Sequence, residues 1–228
     1  MTTTDPDHHL FDDAETEQSF DHGAVSRFNA WFFTAFDGYL NLAARRHKQQ
    51  AFDGLSAPVV VEIGAGTGAN LGHLAPGTHL IAVEPSRAMH GRLRQRCEAA
   101  GVPLTLIAGG AEDIPLPDGS VDEVIASLVL CTVQDQERAL AEIRRILRPG
   151  GRFRFVEHVA APRRGPRRAV QRAIHRPWGY VFEGCDPARH TIDAVERAGF
   201  TEVRAERRKL SRSLFWPVNT AAWGIAIR

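Results

Sequence analysis

Apolar positions along the chain follow two periods. From Val25 the residues Val25, Phe28, Phe32 and Phe36 recur at helical spacing, and Trp31 and Phe33 broaden the stripe, which predicts an aromatic-rich helix. A polar stretch, Arg45 to Gln50, separates it from Pro58 and the run Val59-Val60-Val61-Glu62-Ile63. That run is β-branched and apolar, as a strand buried on both faces must be, and it stops at a glycine-rich turn. Further strands are predicted at Leu80 to Val83, Leu104 to Ile107, Val121 to Leu128 and Arg152 to Val156. Between them, Ser86 to about Ala100 and Gln134 to Leu147 read as helices, the second with Ala139, Leu140, Ile143 and Leu147 on one face before Pro149-Gly150-Gly151 stops it. A helical stretch from about Arg167 to Trp178, a helix from Pro187 to Ala198, and strands around Val203 and from Ala222 to Ile227 complete the pattern. Such alternation predicts an α/β fold, because parallel strands need long right-handed crossovers that place helices on both faces of the sheet.

Composition narrows the class. A chain of 228 residues suffices for one complete α/β domain. Residues 1–22, acidic and without apolar period, are expected to be a disordered or loosely attached tail, with 23–228 a single domain. No apolar stretch approaches the roughly 20 residues that span a bilayer, so stable membrane insertion is not expected. The start lacks a basic segment followed by an apolar core, which points to a cytoplasmic protein. Net charge is +1, which gives no pull toward nucleic acid. The basic run Arg163, Arg164, Arg167, Arg168, Arg172 and Arg176 reads as a solvated helix face. Cys97, Cys131 and Cys185 are widely spaced and form no CxxC pair, so they read as buried thiols and no metal set is expected.

The chemistry starts at Glu62-Ile63-Gly64-Ala65-Gly66-Thr67-Gly68, a strand-to-helix turn of the kind where open α/β sheets bind ligands. Glycines there let the backbone turn sharply and approach a ligand closely. Gly64, Gly66 and Ala69 would also satisfy a dinucleotide fingerprint, so a nicotinamide-dependent dehydrogenase is a rival reading. Glu62, two residues before the first glycine, suits a cationic amino-acid ammonium and would sit poorly beside a pyrophosphate. Glu84, closing the second strand, can accept both hydroxyls of a ribose, which serves either cofactor.

Taken together, EIGAGTG, VEPS, GGAEDIPLPDGSVD and LRPGGRFRFVEH resemble the class I methyltransferases of the type 11 group, over about Val59 to His158. GTGANL, LVLCTV, FVEHVAA, RPWGYVFEGC and WGIAI are more specifically similar to the alkyl thiol S-methyltransferases. The resemblance implies the Rossmann-like methyltransferase fold, a mostly parallel seven-stranded sheet with helices on both faces, here with the aromatic helix at its N-terminal side. It implies S-adenosyl-L-methionine as cofactor. Its methionine part would lie along Glu62, Gly64, Gly66 and Gly68, its ribose on Glu84 and its adenine against Ala111 and Glu112, with Ala65, Asn70, Pro85, Ser86, Gly110, Ser127 and Leu128 as further cofactor-binding positions. Many members have Asp before the Ala-Glu pair, where this chain has Gly110.

The partner implied is a small-molecule acceptor, a thiol by preference, with O- or N-methylation and a non-catalytic cofactor-binding module as alternatives. Methyl transfer from a sulfonium is an in-line displacement that mainly demands alignment and exclusion of water. A thiol supplies some thiolate by itself, so a base is optional; His158, just past the fifth strand, is the candidate to take the acceptor proton. Trp31, Phe32, Tyr39, Cys131, Trp178 and Phe182, with His158, are the candidate walls of the acceptor site.

Overall fold

Strand follows helix in the expected order. The computed structural model describes residues 23–162, 165–182, 184–210 and 218–228, so the expectation for residues 1–22 lies outside the described residues. A seven-stranded sheet runs in the order β3-β2-β1-β4-β5-β7-β6, built from β1 (Val59–Ile63), β2 (His79–Val83), β3 (Leu104–Ile107), β4 (Val121–Ser127), β5 (Leu147–His158), β6 (Glu202–Lys209) and β7 (Thr220–Ile227). The first five strands are parallel, while β7 runs antiparallel to both β5 and β6. Strand order reverses between β1 and β4, and at such a switch point the carboxyl ends of neighbouring strands leave a crevice for a ligand.

Helices α1 (Ala24–Ala35) and α2 (Asp37–Phe52) precede the sheet; α3 (Arg87–Ala100), α4 (Gln136–Ile146), α5 (Pro166–Val181) and α6 (Thr191–Arg197) lie between its strands in sequence. The stripe of α4, Ala139, Leu140, Ile143 and Ile146, is buried with Phe153, Phe155 and Val124 in the main core. Truncating a leucine in such a position costs about 2–5 kcal/mol. The Asp135 side chain caps α4 by accepting the Arg138 N–H at 3.0 Å, and Arg144 and Arg145 in its last turn complement the helix dipole.

Two segments depart from the hydrophobic pattern. Arg45 to Gln50, read as a polar spacer, is the second half of α2, and His47 and Lys48 are buried beside Ala44, Ala51 and Phe52. Polar residues on the inward face hide the helical period from a binary pattern. Its end is pinned by Arg154, whose guanidinium pairs with Glu123 at 2.7 Å and donates to the carbonyls of Ala51 and Asp53, both charged side chains being 4% exposed. The second departure is α6, which begins at Thr191 rather than Pro187. The Asp186 carboxylate accepts the Ala188 N–H at 2.8 Å and holds the preceding residues in a turn.

Candidate functional site

A cavity of about 700 Å³ opens at the carboxyl ends of β1, β2 and β4. Ligand sites of this kind span roughly 300–1,000 Å³. Twelve of the expected cofactor residues line it: Gly64, Ala65, Gly66 and Asn70 after β1, Glu84, Pro85 and Ser86 after β2, Gly110, Ala111 and Glu112 after β3, and Ser127 and Leu128 at the end of β4. Gly64 sits at φ +62°, and a Cβ there would lie 2.4 Å from Val129 Cγ2, so only glycine lets β1 turn beneath the loop after β4. Gly66, at φ +56°, has the Met89 sulfur 3.6 Å from where a Cβ would be; its need for glycine is conformational rather than steric. The Gly66 N–H donates to one oxygen of Glu84 and the Ser86 N–H to the other, each at 2.8 Å. The carboxylate is thereby fixed at the cavity wall.

Two expected residues stand behind the wall. Glu62 is buried and does not line the cavity; it accepts the Asn70 amide at 2.6 Å and so orients a side chain that does. Burial raises its carboxyl to about 7, against the pull of the Asn70 hydrogen bond and of Lys48. Gly68 faces Leu71 and Leu93, whose side chains would lie 3.0 and 3.2 Å from a Cβ, and it serves packing. Thr67, Ala69, Met89 and the buried Lys48 line the cavity without having been expected. Lys48 belongs to the α2 half that the pattern concealed. The buried Asn70 Oδ1 and Ser86 Oγ have no hydrogen-bond partner among the described residues. Buried polar atoms on a cavity wall are normally satisfied, so this end fits a polar ligand such as a nucleoside joined to an amino acid.

The other end is assembled from distant parts of the chain. Phe32 and Tyr39 reach it from α1 and α2, Cys131 from the loop after β4, His158 from the end of β5, and Trp178, Phe182 and Cys185 from α5 and the turn beyond. The Phe182 ring packs edge-on against Phe32 at 5.3 Å and lies 4.4 Å from Trp178, centroid to centroid. Trp31, expected in this wall, is 61% exposed and does not line the cavity. It falls a helical step away from Phe32, and helical spacing alone cannot say which edge of a broad stripe faces inward.

The loop 128–131 is braced by one buried carboxylate. Glu157 accepts the N–H groups of Val129 and Leu130 at 3.0 Å each and of Cys131 at 3.3 Å. Leu128 adopts φ +62°, a conformation costing a non-glycine residue about 1 kcal/mol or more, and it persists where surrounding contacts over-determine it. Burial raises the Glu157 carboxyl, while the three N–H groups and His158 pull it back. Three successive donors on one side chain cannot be read from spacing. Cys131 and Cys185 are free thiols whose sulfurs lie 3.7 Å apart. The Cys185 thiol and then burial hold the Cys131 thiol well above its ordinary range. Among the described residues no helix is long and apolar enough to cross a membrane.

A seven-stranded sheet with one antiparallel hairpin, and a cavity of this chemistry over its switch point, define a class I methyltransferase that uses S-adenosyl-L-methionine. Residues 61–155 match the methyltransferase domain family. The human thiol S-methyltransferase TMT1A is 34% identical over 184 residues, 78% of this chain and 75% of that one. Human TMT1B is 34% identical over 74% of this chain and 70% of its own length. Among solved structures, a methyltransferase from Thermotoga maritima has the same fold with a TM-score of 0.62 at 23% identity, covering 89% of this chain and 99% of that one. The chain belongs to the S-adenosyl-L-methionine-dependent methyltransferase family and has thiol S-methyltransferases among its relatives.

Proposed function

We propose that the chain transfers a methyl group to the sulfur of a small hydrophobic thiol. The reading is carried by its 34% identity to the human thiol S-methyltransferases over 78% of the chain. The apolar acceptor end, where Phe32, Trp178 and Phe182 surround Cys131 and His158, suits such an acceptor.

When bound, S-adenosyl-L-methionine supplies a methyl group on a positively charged sulfur, already activated for displacement. Glu84, held by the Gly66 and Ser86 N–H groups, accepts the ribose hydroxyls. Asn70 and the backbone of Gly64 to Gly66 receive the methionine part, with Glu62 behind the wall holding the Asn70 side chain in place. Gly110, Ala111 and Glu112 meet the adenine, and the Glu112 carboxylate keeps its place by accepting the N–H groups of Gln134 and Asp135 at 2.8 and 3.2 Å. Leu128, fixed by the Glu157 brace, bounds the space between the two ends. The aromatic wall excludes water, and alignment in a dry site is what an in-line displacement requires. His158, on the same wall, faces the acceptor sulfur.

A pair of substrates with one carbon skeleton tests the reading. With methyl-labelled cofactor, an alkyl thiol should give the labelled thioether, while the matching alcohol and amine remain unchanged. Methylation of the alcohol or amine with the thiol untouched overturns it.

A further inference from the structure

Cys131, Cys185 and His158 come from three separate elements, yet their ligand-capable atoms all lie within 4.8 Å of one another on the wall of the cavity. We propose that these three side chains bind one zinc ion at the acceptor end, with the fourth coordination position open to the cavity and taken by the sulfur of the acceptor thiol. The proposal deepens the S-methylation reading and rests on it.

Geometry carries it. Zinc bound by thiolates at about 2.3 Å in a tetrahedron sets two sulfurs about 3.8 Å apart. Here the two sulfurs stand at 3.7 Å, where a disulfide would need about 2.05 Å. Two cysteines and one histidine with an open fourth position is a donor set found in catalytic zinc sites. The Nδ1 of His158 is buried and has no hydrogen-bond partner among the described residues, so one imidazole nitrogen is available to a metal.

The surrounding backbone holds the set in place. The Asp186 N–H donates to the Cys131 carbonyl at 2.8 Å, tying the two cysteine-bearing segments together. Glu157 grips the Cys131 N–H from the position next to His158. Arg189 donates to the Leu130 carbonyl at 3.0 Å. Metal-site geometry is normally fixed by such outer contacts.

Chemically, a thiol entering the open position loses its proton to water and binds as thiolate, since coordination deprotonates a thiol outright. With two cysteine thiolates already present, the ion is neutralised and the third sulfur stays electron-rich. Its lone pair forms the new carbon–sulfur bond, and the pair of the old bond remains on the departing sulfur. The product thioether is uncharged and a weaker ligand, so it leaves. His158 then acts as a ligand, and no protein base is required.

Metal analysis of reduced protein, purified without a chelating tag, tests this. About one zinc per chain is expected, and Cys185→Ser should lower zinc affinity by about tenfold or more, whereas Cys97→Ser, on the far α3 helix, should leave it unchanged. Cobalt(II) added to zinc-free protein should give a sulfur-to-cobalt charge-transfer band that weakens in Cys185→Ser. The band in the unsubstituted protein decides the matter if that variant does not fold. Removing zinc should slow thiol methylation about tenfold or more, with recovery on adding it back and no change in cofactor affinity. Zinc bound with no thiol methylated would support the site and overturn the function proposed above. Full thiol methylation by a chain that takes up neither zinc nor cobalt overturns the site and leaves that function standing.

Discussion

The two ends of the cavity are built by different rules. At the cofactor end, Gly64 to Gly66, Glu84, Ser86 and Gly110 to Glu112 lie at or just past the carboxyl ends of three adjacent parallel strands, and backbone N–H groups aim the Glu84 carboxylate. At the acceptor end, α1, α2, the loop after β4, the end of β5 and the turn after α5 each contribute a side chain or two, and a single carboxylate, Glu157, braces the loop. The first end inherits its geometry from the sheet. The second depends on tertiary contacts.

That difference sets the order of the expected effects. Replacing Glu157 by alanine strips three N–H groups, two of them fully buried, of their acceptor and releases the strained Leu128. Each unsatisfied donor costs about 1–3 kcal/mol, so we expect a loss near ~3 kcal/mol in all and a melting temperature lower by roughly 10 °C for a chain of this size. A thermal midpoint within a couple of degrees of the parent would show that the brace is not what holds the loop. Glu84→Ala should weaken cofactor binding about tenfold or more by calorimetry while leaving the acceptor KM unchanged, because the Gly66 and Ser86 N–H groups that fix its carboxylate lie at the other end. A matching rise in acceptor KM would mean that the ends are not separable.

Glu62 sharpens the contrast through pH. Its carboxyl is raised to about 7 from an ordinary value of 4.5, so the folded state favours the protonated form. The stability this contributes is present below pH 4.5 and is lost as pH rises through about 7. In the ligand-free chain, Glu62→Gln should match the parent near pH 4 and exceed it at pH 8 by on the order of 3 kcal/mol, read from urea midpoints. Equal midpoints at both pH values would remove the buried charge from the account. The smallest effects separate two aromatic residues of the acceptor side. Phe182→Ala should raise the acceptor KM about fivefold, as loss of a packed aromatic contact implies. Trp31→Ala, on the exposed side of α1, should change it by less than about twofold; a larger change would return Trp31 to the site.

The cofactor end was largely legible because its signals are local. A β-branched run followed by glycines, and an acid closing the next strand, are fixed by short-range backbone requirements, and strand alternation predicts the sheet. Glu62 and Gly68, expected along the cofactor, stand behind the cavity wall, since a motif does not say which way each side chain points. The acceptor end was legible only as a set of names. Nothing in the spacing of Cys131, His158 and Cys185 brings them together; that needs the parallel pairing of β4 with β5 and the Asp186 N–H bond to the Cys131 carbonyl. Lys48 escaped notice because it is a charged residue on a buried helix face, and its partners are distant in sequence.

The central claim is that one cavity holds the cofactor by Glu84 and points its reactive sulfur toward the Cys131 and His158 end. A crystal structure with S-adenosylhomocysteine bound tests this most directly. The account predicts the ribose hydroxyls within hydrogen-bond distance of both Glu84 oxygens, the adenine against Ala111, and the ligand sulfur facing His158 across the open acceptor space. A ligand seated with its adenine at the cysteine end, or one that makes no contact with Glu84, would contradict it.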